Sequence, residues 1–210
     1  MKKILALLLV AILLLSMASS ALAYDEEITW QDIPWGSSIE KIEQYVKKNY
    51  KGFSAEDIWG EILDSEGMPI TVHNGDYNGK IRGYYAEISD KSMPEVAGYK
   101  IAMIGFIFVS DGDSTSLVSI SLYPIKPDGT NAAFTDLSEK VKAVYGDEVN
   151  ENKDFVTVLG GNNTAISVKR SDSMMLIYGK TDAIEILNGI DTPAETKSPN
   201  SVDSNNTNGL

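Results

Sequence analysis

The period of apolar positions changes several times along the chain, and each change marks an expected element. Ile39, Ile42, Val46 and Tyr50 recur at spacings of three and four. That spacing puts them on one stripe and predicts a helix over about residues 38–50, ended by Gly52. The order Ser37-Ser38-Ile39-Glu40 reads as a capping box at its start, with Ser37 accepting from the Glu40 amide and Glu40 reaching back to the Ser37 amide. Ser54-Ala55-Glu56-Asp57 opens a second, shorter expected helix whose buried side is Ile58, Trp59, Ile62 and Leu63. Ahead of both, Ile28-Thr29-Trp30 is expected to form a short edge strand.

From Pro69 the period falls to two, and strands are predicted near 70–73, 80–88, 99–109 and 117–123. Asn74-Gly75-Asp76, the stretch Asp90 to Pro94, and Ser110-Asp111-Gly112-Asp113 divide them with residues that tolerate positive φ or bond their own backbone. Pro124 and Pro127 stop strand pairing. Phe134, Leu137, Val141 and Tyr145 then predict a third helix over about 132–145, with Gly146 placed for a left-handed C-terminal cap. Strands follow at about 154–159, 164–170 and 174–178, joined by Gly160-Gly161-Asn162 and Ser171-Asp172-Ser173. A short helix from Thr181 to Asn188 closes the fold, and the polar tail over 191–210 is expected to be disordered.

Consecutive strands joined by short turns must run antiparallel. The expected fold is therefore α+β: an antiparallel meander sheet with helices on one face, forming one domain over 24–190. The layout also suggests a degenerate tandem repeat, helix then meander done twice, with halves at 28–126 and 130–190.

Charge and composition narrow the function classes. The 210 residues carry 18 Lys+Arg against 30 Asp+Glu, a formal net charge of −12, with one His and no Cys. Such acidity repels nucleic acid and anionic membrane, so neither is an expected partner. A chain without cysteine has no disulfide, Fe–S cluster, thiolate zinc site or Cys nucleophile. Met1-Lys2-Lys3, the twelve apolar residues from Ile4 to Leu15, and small residues running to Ala21-Leu22-Ala23 have the tripartite order of an export signal. Twelve apolar residues fall short of the ~20 that span a bilayer, so cleavage after Ala23 is expected, leaving no stable membrane anchor. The protein is thus read as secreted or extracytoplasmic.

Trp35-Gly36-Ser37-Ser38 leads into a helix, Gly98-Tyr99 into a strand, Phe106-Ile107-Phe108-Val109 precedes an Asp-Gly turn, and a helix ends in Tyr145-Gly146. In this order the chain resembles a broad group of uncharacterised secreted bacterial proteins. More distantly it is similar to the helix-plus-meander repeats of β-lactamase inhibitor protein and of the SmpA/OmlA lipoproteins. The resemblance spans most of residues 30–178 and implies a fold; it transfers no functional residue. The lipoproteins need an acylated Cys and the inhibitor has disulfides, and this chain departs from both.

His73 is the only histidine and flanks a turn, no serine sits in a G-x-S-x-G elbow, and no H-E-x-x-H is present. The run from Asp111 to Ser116 misses the EF-hand's Gly and bidentate Glu, which fall here on Ser116 and Leu122. Gly160-Gly161-Asn162 lacks the Lys of a phosphate loop. Acids such as Glu40, Glu43, Glu56, Glu61 and Glu139 stand on expected helix faces, which is ordinary solvation. No catalytic residue, metal or cofactor is therefore assigned.

The informative feature is the strand at 99–109, apolar on both sides. Phe106 and Phe108, with Val118 and Ile120, are expected to face the helices. That leaves Ile101, Met103 and Ile107 on the second face near Tyr85 and Tyr123, a candidate partner-binding patch. The competing reading buries the strand twice, under Ile28 to Trp35 or under the C-terminal helix. The expected function is a non-catalytic interaction module whose partner is another extracellular or envelope protein. The alternatives are a carboxylate-based extracellular hydrolase and a structural envelope component.

Overall fold

The computed structural model describes residues 24–50, 60–64, 66–74, 77–89, 92–125, 130–146, 149–170 and 174–184. The export segment with Ala23, Gly52, most of the second expected helix including Ile58 and Trp59, the turn at 171–173 and the polar tail lie outside them.

The elements in order are β1 (Tyr24–Glu27), α1 (Ile39–Asn49), β2 (Gly60–Glu61), β3 (Thr71–Asn74), β4 (Tyr77–Glu87), β5 (Glu95–Val96), β6 (Tyr99–Asp111), β7 (Ser114–Pro124), α2 (Thr130–Tyr145), β8 (Val149–Glu151), β9 (Phe155–Gly161), β10 (Thr164–Arg170) and β11 (Met174–Lys180). A short helical turn at 181–184 follows. The content is mixed α and β, dominated by one large sheet. Its strands run in the order β1-β9-β10-β11-β7-β6-β4-β2, with β3 on β4, β5 on β6 and β8 on β9. All pairs are antiparallel except β1 on β9.

Turn chemistry sets the hairpins. Asp111 pairs with Ser114 across Gly112 (φ +58°) and Asp113, so the run compared with a calcium loop is a two-residue turn. Asn162 and Asn163 both have φ +55° between Gly161 and Thr164, the positive-φ pair that matches strand twist. His73 lies on β3 opposite Asn78, exposed.

The main core lies on the side of the sheet that meets both helices. Ile42, Val46 and Tyr50 from α1 and its end, and Ala133, Leu137 and Val141 from α2, join Phe106, Phe108, Ile120, Leu122, Ile166, Val168 and Leu176 in one cluster. Ile28, Trp30 and Ile33 belong to it too. A second cluster gathers Val72, Ile81, Ile107, Val109 and Val118 around Ala183, and a third gathers Ala165 and Ile177 with Ile184.

Several local expectations are corrected. Ser38, not Ser37, is the N-cap of α1 and makes no side-chain cap bond; the Ser37 hydroxyl donates to the Pro34 carbonyl at 2.8 Å. Glu40 is held below the ordinary carboxyl range by the Ser38 hydroxyl and its own amide. Gly60 and Glu61, expected at the end of a helix, form β2 against Gly83 and Arg82, and the Ile62 amide bonds the Ile81 carbonyl. The N-terminal strand is Tyr24–Glu27, before Ile28, and runs parallel to β9.

Candidate functional site

Two bulges decide where the expected patch goes. On β6 the register shifts between Ile101 and Met103; on β7 it shifts opposite Ile107 and Phe108. A bulge inserts one residue and reverses which face the following side chains occupy. Ile101 thereby joins the helix-side core with 0% exposure, and Leu117 replaces Val118 there, while Val118 turns to the second face. Ile107 keeps its expected face but is 2% exposed, in the cluster that includes Ala183. The expectation that Ile101 and Ile107 form an open surface is therefore overturned: one is core through a bulge, and the other is buried in the Ala183 cluster. Ile28 to Trp35, the other proposed cover, packs on the helix side.

Met103, Tyr85 and Tyr123 are brought together and are half-buried. Tyr85 lies across two glycines. A Cβ on Gly83 or on Gly105 would come within 2.7 Å of its ring, so only glycine leaves room for it there. Tyr123 meets Tyr85 edge-on, with centroids 6.4 Å apart. Burial pushes the Tyr85 hydroxyl above its ordinary range. These rings fill a sheet surface that lacks side chains.

A concavity lies on the helix side. Ala97 (φ +53°) and Gly98 (φ +85°) turn β5 into β6, and this hairpin is clamped to α2. Lys140 donates to the Ala97 carbonyl at 2.9 Å and to Asp136 at 2.8 Å, and sits 5.3 Å from the centre of the Tyr99 ring. The Tyr99 hydroxyl donates to the same carboxylate at 2.6 Å. Asp136 is accordingly held below its usual range by Lys140 first and Tyr99 second.

Between that hairpin, α2 and the sheet lies a cavity of about 400 Å³. Leu137, Val141, Val144, Ile166, Leu176 and Tyr178 are its chief lining groups, and Val144 is 66% exposed at α2. Tyr145 and Tyr178 interact through their hydroxyls, and burial first, then Tyr145, pushes the Tyr178 hydroxyl well above its ordinary range. Its volume falls in the range of small-molecule and side-chain pockets. Leu137, Val141 and Tyr145 fall on the apolar stripe the sequence predicts for α2, and Ile166, Leu176 and Tyr178 fall on predicted strands with no sign of a shared cavity. One signal was available: Val144 widens the α2 stripe by an exposed apolar position.

Among the described residues no group of three or more His, Asp or Glu is placed to hold a metal ion. The cavity wall offers aliphatic contact and phenol hydroxyls, which suits binding. Compared with known protein families, curated proteins and solved structures, the chain matches none.

Proposed function

We propose that this protein is an exported, non-catalytic binding module that takes an apolar anchor from another extracellular or envelope protein into the cavity beneath α2. In this reading the fold is an antiparallel meander backed by helices on one face, the arrangement of the helix-plus-meander repeats it resembles. One observation carries the reading: an open concavity of about 400 Å³ walled by aliphatic side chains, with an exposed valine on α2 among its lining. Interface anchors are large apolar or aromatic groups seated in such pockets, ringed by polar contacts that exclude water. The Lys140–Asp136–Tyr99 cluster beside Ala97 supplies that polar rim. The export segment read from residues 1–23 supports the compartment.

The test is a photo-crosslinking residue at Val144 in the exported protein, with the same residue at Lys153 as control; the Lys153 side chain is 85% exposed. A single adduct at position 144, absent at 153 and lost in an Ala143→Glu background that keeps its helical signal, is expected. Matching adducts at both positions would sink the reading.

A further inference from the structure

A second concavity, of about 300 Å³, lies on the loop between β1 and α1, and its walls have a different chemistry. Trp35 and Tyr45 bring half-buried aromatic rings to it, and Gln31, Asp32 and Lys41 bring exposed polar side chains. Gln31 and Asp32 are consecutive non-glycine residues with φ +51° and +56°. Left-handed backbone costs roughly 1–3 kcal/mol per residue and persists only where surroundings hold it.

The surroundings here are dense. The Gln31 Oε1 accepts from the Tyr45 hydroxyl and, at 3.1 Å, from the Tyr50 hydroxyl. The Ile33 amide donates to the Trp30 carbonyl, and the Trp35 indole donates to the Ile28 carbonyl at 3.2 Å. The Gly36 amide donates to the Leu117 carbonyl at 2.9 Å, and the Leu117 amide donates to the Ser37 carbonyl at 3.0 Å. The loop is thus fixed to β7 and to α1 before any ligand arrives, which lowers the ordering cost of binding.

What this rigid loop presents is unspent hydrogen-bonding capacity. With its oxygen engaged by both tyrosines, the Gln31 amide keeps its NH2 donors. The Asp32 carboxylate and the Lys41 ammonium have no hydrogen bond or ion pair among the described residues. One acceptor, one donor and an amide therefore surround two aromatic rings. The combination matches a molecule with hydroxyls around its rim and an apolar C–H face to lie on an indole or phenol ring.

We propose that this cleft binds a neutral saccharide ring, independently of the cavity beneath α2. A polyanionic glycan is disfavoured by the −12 net charge. An extended peptide is disfavoured because the backbone groups of Gly36, Ser37 and Leu117 named above are already paired, so a strand has little edge to join.

The test is calorimetric titration of the full exported protein with cellotriose, maltotriose and chitotriose, beside polygalacturonate and a neutral tetrapeptide. At least one of the neutral trisaccharides is expected to bind with a dissociation constant at or below about 1 mM. Asp32→Gly, which accepts the left-handed backbone, and Lys41→Met, which keeps the alkyl stem, should each weaken it about tenfold. Both sites are exposed, and circular dichroism checks the fold; should Asp32→Gly loosen the loop, Lys41→Met decides. No trisaccharide binding overturns the proposal. So does binding that Lys41→Met leaves unchanged, or preference for the polyanion or the peptide.

Discussion

The two faces of the sheet are both largely buried, yet they are built from different materials. The helix side is filled by large side chains: Phe106, Phe108, Ile120, Leu122, Ile166, Val168 and Leu176. The far side alternates small or polar positions with a few large ones. Gly83, Gly105, Ser119, Ser121, Thr157 and Ser167 lie there beside Tyr85, Ile107 and Ile177. Buried hydroxyls are tolerable because they are bonded: Ser119 donates to the Tyr178 carbonyl at 2.9 Å, and Thr157 donates to Ser167 at 2.9 Å. Apolar composition therefore does not mark which face is core. Burial on the far side is achieved by a tyrosine laid over glycines and by hydrogen-bonded hydroxyls, where the helix side uses bulk.

The sharpest way to break this comparison is charge. Ile101→Lys places an ammonium at a site with no exposure on the helix side, and should cost more than about 3 kcal/mol or prevent folding, read by urea denaturation. Tolerance of that change would return Ile101 to the surface patch it was first assigned to. Phe106→Ala removes bulk from the same side and should cost about 3–5 kcal/mol by the same measurement. On the far side, Gly105→Ala should cost about 1–3 kcal/mol, because the new methyl meets the Tyr85 ring at 2.7 Å. That cost should shrink in a Tyr85→Ala background, and a double-mutant cycle measures the coupling.

Alkaline titration sharpens the helix side further. Burial holds the Tyr178 hydroxyl above its ordinary value of 10.0, so the unfolded chain ionises first. Its contribution is whole below that value and is lost as pH rises through it toward the folded value, by about 1.4 kcal/mol per pH unit. Tyr178→Phe should cost about 1 kcal/mol at pH 8 and flatten the loss seen between about pH 10 and 11.5. The smallest expected effect is Met103→Lys, about 0.5 kcal/mol, since a half-buried lysine can lay its stem along the sheet. Equal costs for Ile101→Lys and Met103→Lys would erase the distinction that the β6 bulge creates.

Strands and turns were legible because Asn, Gly and Asp occur where the chain reverses, as at Gly112-Asp113 and Asn162-Asn163. What escaped was register. A bulge at Ala102 or Val118 carries no residue that announces it, so strict alternation assigned Ile101 and Val118 to the wrong sides. The stretch Ile58 to Leu63 carries helix spacing, but its described end is drawn into a ladder with β4 by pairing that lies more than twenty residues away. β1 escaped for a similar reason. Its sequence is polar, and it docks because Gly160 and Gly161 leave no Cβ in its way: one on Gly161 would sit 2.0 Å from the Asp25 carbonyl oxygen. The cavity beneath α2 was out of reach, since it joins segments far apart in the chain; the second concavity is local to residues 31–45, and what escaped there was the left-handed backbone at Gln31 and Asp32.

That parallel strand has a consequence for crowded solution. The outer flank of β9 is occupied by β8 along 156–158 and by β1 along 160–161. β1 carries Asp25, Glu26 and Glu27 in succession, with Glu27 3.4 Å from Lys180. A second molecule seeking to prolong the ladder from this rim would bring its own three carboxylates against these, and the repulsion opposes end-to-end polymerisation. The fence is electrostatic, so salt beyond about 0.1 M, where the screening length drops to about 10 Å, should lower it and admit sheet-to-sheet stacking first at this rim.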